Sequence, residues 1–507
     1  MPDIVLATLN AKFLHSAFGL RCLRANLGGL RARSRIAEFD LQQRPLDIAE
    51  ALLADAPRIV GLGVYIWNVA ESTRLAAVLK RLRPDLTLVL GGPEISHETA
   101  EQPITREADY VIPGEADLAF AELCRRVLAG NPPAEKIRPA PPPELDRLAL
   151  PYDEYTDADL AHRLIYVEAS RGCPFTCEFC LSSLDAGVRT FALDRFLAAM
   201  DHLWRRGVRH FKFVDRTFNL NLRVSQAILD FFLDRLCPEL FLHFELVPDR
   251  LPAGLRERLR RFPPGAVQCE VGIQTFNPDV AARIRRRQDF AAAEANLRFL
   301  REETGVHVHA DLIFGLPGED LASFAAGFDR LVALGPQEIQ VGLLKRLRGA
   351  PIRRHDAEWA VVWSPLPPYE LLRNRLLDFA TVQRMRRFAR AWDLLANSGN
   401  FHETTPLLWG DGSPFADFLR FSDWLFVRAR RTHGIALPRL ARQVFDYLTT
   451  ERGLAPAEAG AALARDYQRP GRRDVPPFLQ EWAVRPPKPA VSRRPGARRQ
   501  SRHQSAD

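Results

Sequence analysis

Cys173, Cys177 and Cys180 stand within one eight-residue stretch, Cys-Pro-Phe-Thr-Cys-Glu-Phe-Cys, and are the residues of this chain best suited to chemistry. Thiolates at Cys-x3-Cys-x2-Cys spacing can wrap one iron–sulfur cluster, since Cys is the usual protein ligand of such clusters. A cubane 4Fe–4S cluster has four irons, so three local thiolates leave one iron without a protein ligand. An open iron is a place for a substrate or cofactor, which points to catalysis more than to electron storage. A structural zinc site is the alternative reading. Zinc knuckles pair Cys-x2-Cys with a fourth His or Cys, and none stands nearby.

The spacing, the preceding Arg171-Gly172 and the aromatic Phe179 inside the last Cys-x2-Cys resemble the radical S-adenosylmethionine (SAM) superfamily. The resemblance implies that the open iron chelates the amino and carboxylate groups of SAM and that the reduced cluster cleaves it to a carbon radical. It also implies an open barrel of six βα units, and six apolar runs fit that number: Leu164–Ser170, His210–Val214, Leu242–Val247, Ala266–Gln274, Val306–Phe314 and Glu338–Leu344. Helical patterns separate them, at 192–206, 222–236, 253–261, 278–302 and 320–334. Barrel enzymes carry reactive groups at the carboxyl ends of strands. By that rule and by the resemblance, Phe179, Asp215, Glu245, Glu270, Gln274, Asp311, Gly315 and Leu316 are the expected SAM-binding residues, with Phe179 and the Asp311–Glu319 run against the adenine. Buried acids without partners are costly, so salt bridges to the chain's many arginines are the structural alternative for Asp215, Glu245, Glu270 and Asp311.

Upstream, residues 3–130 alternate short apolar strands with amphipathic helices, at Asp3–Thr8, Arg35–Phe39, Ile59–Tyr65, Leu86–Leu90 and Asp109–Ile112 for the strands. That pattern predicts a doubly wound parallel sheet, whose ligand sits outside the strands' carboxyl ends. The loops there hold His15, Trp67 with Asn68, Gly91-Gly92-Pro93-Glu94 and Gly114-Glu115. The first strand with its His loop, the Leu90-Gly-Gly-Pro93 turn and Asp109-Tyr-Val-Ile-Pro-Gly-Glu115 resemble the cobalamin-binding domain that precedes the radical SAM domain in fused proteins. The resemblance assigns His15, Trp67, Asn68, Gly91, Gly92, Glu94 and Glu115 to cobalamin. Cobalamin domains whose His replaces the lower axial base carry Asp-x-His-x-x-Gly, whereas this loop reads Ala11-Lys-Phe-Leu-His15-Ser-Ala-Phe-Gly19. A ligating His needs an orienting partner on its other ring nitrogen, and this loop supplies none. The expectation is cobalamin bound without a protein His beneath the metal. A sheet that only scaffolds is the alternative for this domain.

The expected organisation is α/β: a doubly wound, cobalamin-binding-like sheet at 1–135, a Pro-rich linker at 136–160, a radical SAM partial (β/α)6 barrel at 161–360, a helical C-terminal domain at 366–484 and a disordered basic tail at 485–507. Helices are expected over Leu371–Ala396 and Phe415–Thr432. The helical domain resembles an extension of uncharacterised role in one branch of these proteins, and it is expected either to shape the substrate pocket or to cap the open barrel edge. The net charge is +8, but from Arg485 to Asp507 seven basic residues face one acid, so most of the excess sits in the tail. That distribution argues against nucleic acid as the partner. Cys22, Cys124, Cys237 and Cys269 are scattered singly and read as buried hydrophobes, which with no leading signal peptide fits a reducing cytoplasm. No apolar run is long enough to span a bilayer.

The resemblance as a whole implies an enzyme with a 4Fe–4S cluster, SAM and cobalamin, served by an external electron donor of flavodoxin or ferredoxin type. The implied reaction carries a methyl group from SAM by way of cobalamin to an unactivated carbon of a small molecule, in preference to a peptide or RNA. Non-methylating radical rearrangement is the second reading, and a non-catalytic cofactor-binding or redox-sensing protein the third.

Overall fold

The computed structural model describes residues 1–185, 187–483, 500 and 502–503. The chain divides into two compact units: Met1–Arg216 with Lys345–Arg353 and Ser364–Glu370, and Thr217–Leu344 with Arg354–Trp363 and Leu371–Asp507.

The first unit is built on five parallel strands, β1 (Ile4–Asn10), β2 (Ser34–Asp40), β3 (Ile59–Gly63), β4 (Thr87–Gly91) and β5 (Tyr110–Ile112), in the order β2-β1-β3-β4-β5. Their near-continuous apolar character follows from burial on both faces. Val5, Ala7, Leu9, Val60, Leu62, Leu88 and Leu90 pack on one side with the helices Pro45–Leu53 and Val69–Leu82. Ile4, Leu6, Ile59, Val89 and Ile112 pack on the other with Phe18–Ala25 and Asp117–Leu128. Each such aliphatic side chain contributes roughly 1.5–3 kcal/mol by leaving water.

The stretch expected to be only a stiff linker is partly woven into this sheet. Ile137 and Ala140 form parallel bridges to Val111 and Gly114, extending the β5 edge. Further on, a capping box at Thr156 starts a short helix, Asp157–His162. Arg21, only 2% exposed, pins that helix to the sheet by donating to Glu38 on β2 at 2.8 Å and reaching Asp159 at 2.9 Å. Two further parallel strands, β6 (Ile165–Val167) and β7 (His210–Phe213), complete the first unit.

The second unit continues the same sequential arrangement with β8 (Phe241–Leu246), β9 (Val267–Gln274), β10 (His307–Phe314) and β11 (Glu338–Leu343), paired in parallel with each neighbour. One face of β9 and β10 is apolar (Val267, Cys269, Val271, Ile273; Val308, Ala310, Leu312, Phe314). The alternate residues are mostly polar, which marks the barrel interior. The six runs and their helices match expectation except in one place. The helix expected over 278–302 is two helices, Pro278–Arg283 and Phe290–Glu302, capped by the Asn277 and Asp289 side chains.

The helical C-terminal part also differs at its start. Leu371–Arg373 is not helical but pairs antiparallel with Val362–Trp363, and the helix begins at Phe379 after Asp378 caps it. Phe388, Trp392 and Phe415 of this part surround Phe328 from the helix Leu321–Leu334, with ring centroids 4.8 Å apart for Phe328–Trp392, and Phe418 packs behind them on Phe388 and Trp392. The Asn397 amide accepts from Ile339 N–H at 2.9 Å and donates to its carbonyl at 2.8 Å. The helical part therefore satisfies the free edge of β11, the last barrel strand. Most of the tail expected to be disordered lies outside the described residues. Of its described members, Gln500 donates to Gln268 at 3.1 Å, Arg502 donates to the Ser398 carbonyl at 2.7 Å, and the His503 ring meets His307 edge-on. Cys22, Cys124 and Cys269 are buried, while Cys237 is half-buried because it lies in the turn after the helix Leu222–Leu233.

Replacing Arg21 by Ala leaves the Glu38 carboxylate buried beside weaker partners. The expected cost is about 3–5 kcal/mol, read as a lowered denaturant midpoint. A midpoint equal to that of the parent would contradict the pinning role.

Candidate active site

The cysteine loop leaves β6 through two polar anchors. Asp215, 2% exposed and just beyond β7, accepts from Ala169 N–H at 3.0 Å and from Ser170 Oγ at 2.6 Å. Burial pushes its carboxyl up to about 6 against those donors. Asp215, expected from the sequence to bind SAM, holds the start of the three-cysteine loop here. Gly172 follows with φ +92°, and a Cβ there would collide with the Gly187 carbonyl. Only glycine fits this close approach. The loop then presents Cys173, Cys177 and Cys180, with Cys177 buried and the other two half-buried. Burial raises Cys173, and the neighbouring Cys180 and Cys177 add to it, so the thiols are electrostatic neighbours. Among the described residues no set of three His, Cys, Asp or Glu side chains converges on one metal ion. A cubane offers each thiolate its own iron, so three thiolates at this spacing suit a cluster without meeting at a single metal position.

Arg171, next to Gly172, is the hub of the first unit. It donates to Glu168 at 2.9 Å, to Glu115 at 2.9 Å and to Asp117 at 2.9 and 3.1 Å. Burial works against its charge, yet Glu168 and Asp117 hold its pKa above the ordinary value. Glu168 is pushed up to about 7 by burial, opposed by Arg171. Arg189 also pairs with Glu115. The loop after β5, expected to face cobalamin, is thus joined directly to the cluster loop.

The other loops expected to face cobalamin lie at the carboxyl ends of β1, β3 and β4. Trp67, 48% exposed, stacks on Tyr65 with centroids 4.4 Å apart and donates from Nε1 to the Leu9 carbonyl at 3.3 Å. Asn68 is fully buried and its amide is committed to the Leu9 carbonyl, Thr8 and Tyr65 N–H, so it shapes this loop. Gly91 has open space where a side chain would stand, and Gly92 (φ +112°) has none because the Val64 carbonyl fills it. Beside them an apolar slot is lined by Leu20, Gly61, Gly63, Val89, Gly91 and Phe120. Glu94 is buried and accepts from Tyr369 Oη at 2.9 Å and Arg348 Nε at 3.0 Å, which ties the turn to the segment after the barrel. His15 has a partner from outside its loop. Its loop holds no orienting acid, but Tyr166 Oη on β6 lies 2.7 Å from its Nδ1. Burial, with Lys212 and Lys12, lowers the imidazole's pKa and favours the neutral form.

In the second unit Gln274 ends β9 with φ +69°, a strained value for a non-glycine residue, at a register shift against β10. Its Oε1 is buried and without a hydrogen-bond partner among the described residues, a vacancy that suits a polar ligand. Glu319 accepts from Thr275 Oγ1 at 2.6 Å and fastens the Gly315–Glu319 turn to that strand end. Leu316 is fully buried and Gly315 has φ +96°. Glu270 lies 3.3 Å from His243 Nε2, and Asp311 3.3 Å from His309 Nε2. Glu245 is half-buried on β8, opposite Glu270 in the register. Phe179 sits within the cysteine loop of the first unit. The two histidines were not anticipated, although His307-x-His309-x-Asp311 on a strand is visible as an alternation.

A family model described as the radical SAM superfamily matches residues 167–331, and one described as the B12 binding domain matches residues 4–124. The chain carries a radical SAM domain over residues 167–331 and a B12-binding domain over residues 4–124. It is 30% identical to an uncharacterized methyltransferase of Pyrococcus horikoshii over 36% of its own length and 47% of that protein. It is 24% identical to the 2-(S-pantetheinyl)-carbapenam-3-carboxylate methyltransferase of Streptantibioticus cattleyicolor over 58% of its length and 48% of that protein. The chain spans about half the length of these curated relatives. The solved structure of the cobalamin-dependent SAM radical enzyme OxsB shares its fold, with a TM-score of 0.59 at 14% identity over 91% of this chain and 72% of that one.

Asp215 gives a pH test of the loop anchor. Its folded pKa of about 6 exceeds the ordinary 3.8, so the native protein keeps a proton that the unfolded chain has lost. Stability is therefore expected to fall as pH rises between those values, by about 2–3 kcal/mol, and to level off above. Asp215→Asn should flatten this limb in denaturant titrations. An unchanged pH slope in the variant would contradict the assignment.

Proposed function

We propose that this protein is a cobalamin-dependent radical SAM methyltransferase acting on an unactivated carbon of a small molecule. The observation that carries the reading is the Arg171 hub, because it joins the loop after β5 of the B12-binding domain to the start of the three-cysteine loop. When bound, the cluster, SAM and cobalamin supply a carbon radical and a transferable methyl group, and the protein supplies position and electrostatics.

The chain's own residues divide that work. Cys173, Cys177 and Cys180 hold the cluster, and loading it requires their deprotonation against the burial that now raises Cys173. Gln274, Glu270 and the Gly315–Leu316 turn receive the polar and aromatic parts of SAM, with Gln274 Oε1 ready to accept a hydrogen bond. Gly91 and the Tyr65–Trp67 stack, at the carboxyl ends of the first sheet's strands, would meet cobalamin when it is bound. Two relatives carry the name methyltransferase, which supports methylation over rearrangement. The charge excess sits largely in the tail, which supports a small molecule over RNA. An external flavodoxin- or ferredoxin-type donor would supply electrons. No helix among the described residues is long and apolar enough to cross a membrane, which fits a cytoplasmic site of action.

Methylation of this kind consumes SAM in two ways. Anaerobically reconstituted protein with reductant and cobalamin should form 5′-deoxyadenosine and S-adenosylhomocysteine in comparable amounts. 5′-Deoxyadenosine without S-adenosylhomocysteine would replace methyl transfer by rearrangement, and no turnover of SAM at all would favour a sensor.

A further inference from the structure

The interior face of the second unit's strands carries more ionisable groups than SAM contacts require. On β10, His309 is flanked in the register by Glu270 of β9 and Glu338 of β11. Its Nε2 lies 3.3 Å from Asp311 Oδ1 and its Nδ1 3.5 Å from Glu338 Oε2. Glu338 is 2% exposed and also meets His307 Nε2 at 3.0 Å, and His503 stacks edge-on against His307. On the other side Glu270 meets His243 of β8, with Glu245 beside it in the register. Arg286, from the turn after the helix Pro278–Arg283, donates to the Gly272 carbonyl and acts on Asp311 through its charge. Among the described residues these are the charged and titratable groups that the neighbouring strands and the Arg286 turn bring near His309.

Each ring nitrogen of His309 lies within ion-pair distance of a carboxylate, while Nε2 and Asp311 Oδ1 make no hydrogen bond among the described residues. An imidazole with two carboxylate partners is most stable with a proton on each nitrogen. Consistently, burial alone would lower its pKa, but Asp311 and Glu338 raise it to about 10. Asp311 in turn is raised by burial and by Glu270, and His309 is the strongest influence holding it down.

We propose that His309 is a positioning residue for SAM: as a cation wedged between Asp311 and Glu338, it keeps Asp311 an oriented carboxylate available to the cofactor. This inference rests on the reading of the barrel interior as the SAM site. Asp311 would accept from the cofactor while His309, one layer deeper, touches no reacting atom. The sequence carries the arrangement as His307-x-His309-x-Asp311, three alternate residues on one strand face.

The test uses the reconstituted full chain, with SAM retention measured by equilibrium dialysis and KM for SAM measured between about pH 6.5 and about pH 8.5. The parent should bind SAM with a KM flat over this range. His309→Gln keeps the size but not the charge, so Asp311 should protonate more readily and KM should rise roughly tenfold near neutral pH, the loss of one close cation. That KM should then fall as pH rises, because alkali restores the carboxylate. Asp311→Asn should show the raised KM without pH dependence, and the double variant should add nothing. A merely structural histidine would lower kcat and the thermal midpoint in His309→Gln and leave KM independent of pH, which would overturn the proposal. His309→Gln retaining SAM with the parent's KM would also overturn it. A parent that retains no SAM would overturn the SAM reading itself, and this inference with it. Should His309→Gln fail to fold, Asp311→Asn alone decides: a parental KM rules the proposal out, and a raised, pH-independent KM upholds it.

Discussion

A single guanidinium, that of Arg171, holds three carboxylates that belong to two functional loops. Glu115 and Asp117 stand after β5 of the B12-binding sheet, and Glu168 precedes the cysteine loop. The Arg171 side chain is 12% exposed, so the attraction acts in a medium of low dielectric and the desolvation cost is large. Such an arrangement is stable only while every partner is present. Its value is geometric: a planar fork with five donors fixes directions as well as distances. The residue that precedes the three-cysteine loop is thus the residue that joins it to the loop after β5, and Gly172, where a side chain would collide with the Gly187 carbonyl, comes next in the chain.

The same logic, a buried charge between opposite charges, recurs wherever the fold must hold something in place. Arg21 fastens the linker helix to β2. Arg348 and Tyr369 hold Glu94 beneath the Gly91-Gly92 turn. His309 lies between Asp311 and Glu338 in the barrel interior. Three departures from local ease, Gln274 at φ +69° and Gly92 and Gly172 with crowded Cβ positions, stand at or just after the ends of strands. Proteins break local rules at functional sites and compensate elsewhere, and here the compensation is the apolar packing on both faces of the first sheet.

Much of this was legible in the sequence because parallel strands buried on both faces write themselves as short apolar runs. The five N-terminal strands and the six barrel strands all stand where those runs are, within a few residues. Short apolar stretches are ambiguous, and Leu371–Arg373 was taken into a helix although it is one side of a hairpin. Contacts made across long stretches of chain were invisible. Tyr166, 151 residues from His15, supplies the partner that the His15 loop lacks. Asp215 looked like a cofactor ligand because it ends a strand, and only the fold shows the Ala169 N–H and Ser170 hydroxyl that it accepts from. The cluster cysteines needed no fold at all, since their ligand type and spacing are local.

The most direct measurement is the iron and cobalamin content of Arg171→Met after anaerobic reconstitution with both cofactors. If Arg171 registers the two loops on each other, iron and cobalamin occupancy should fall together, while circular dichroism still shows a folded α/β protein. Loss of iron with full cobalamin binding, or full occupancy of both, would contradict the account.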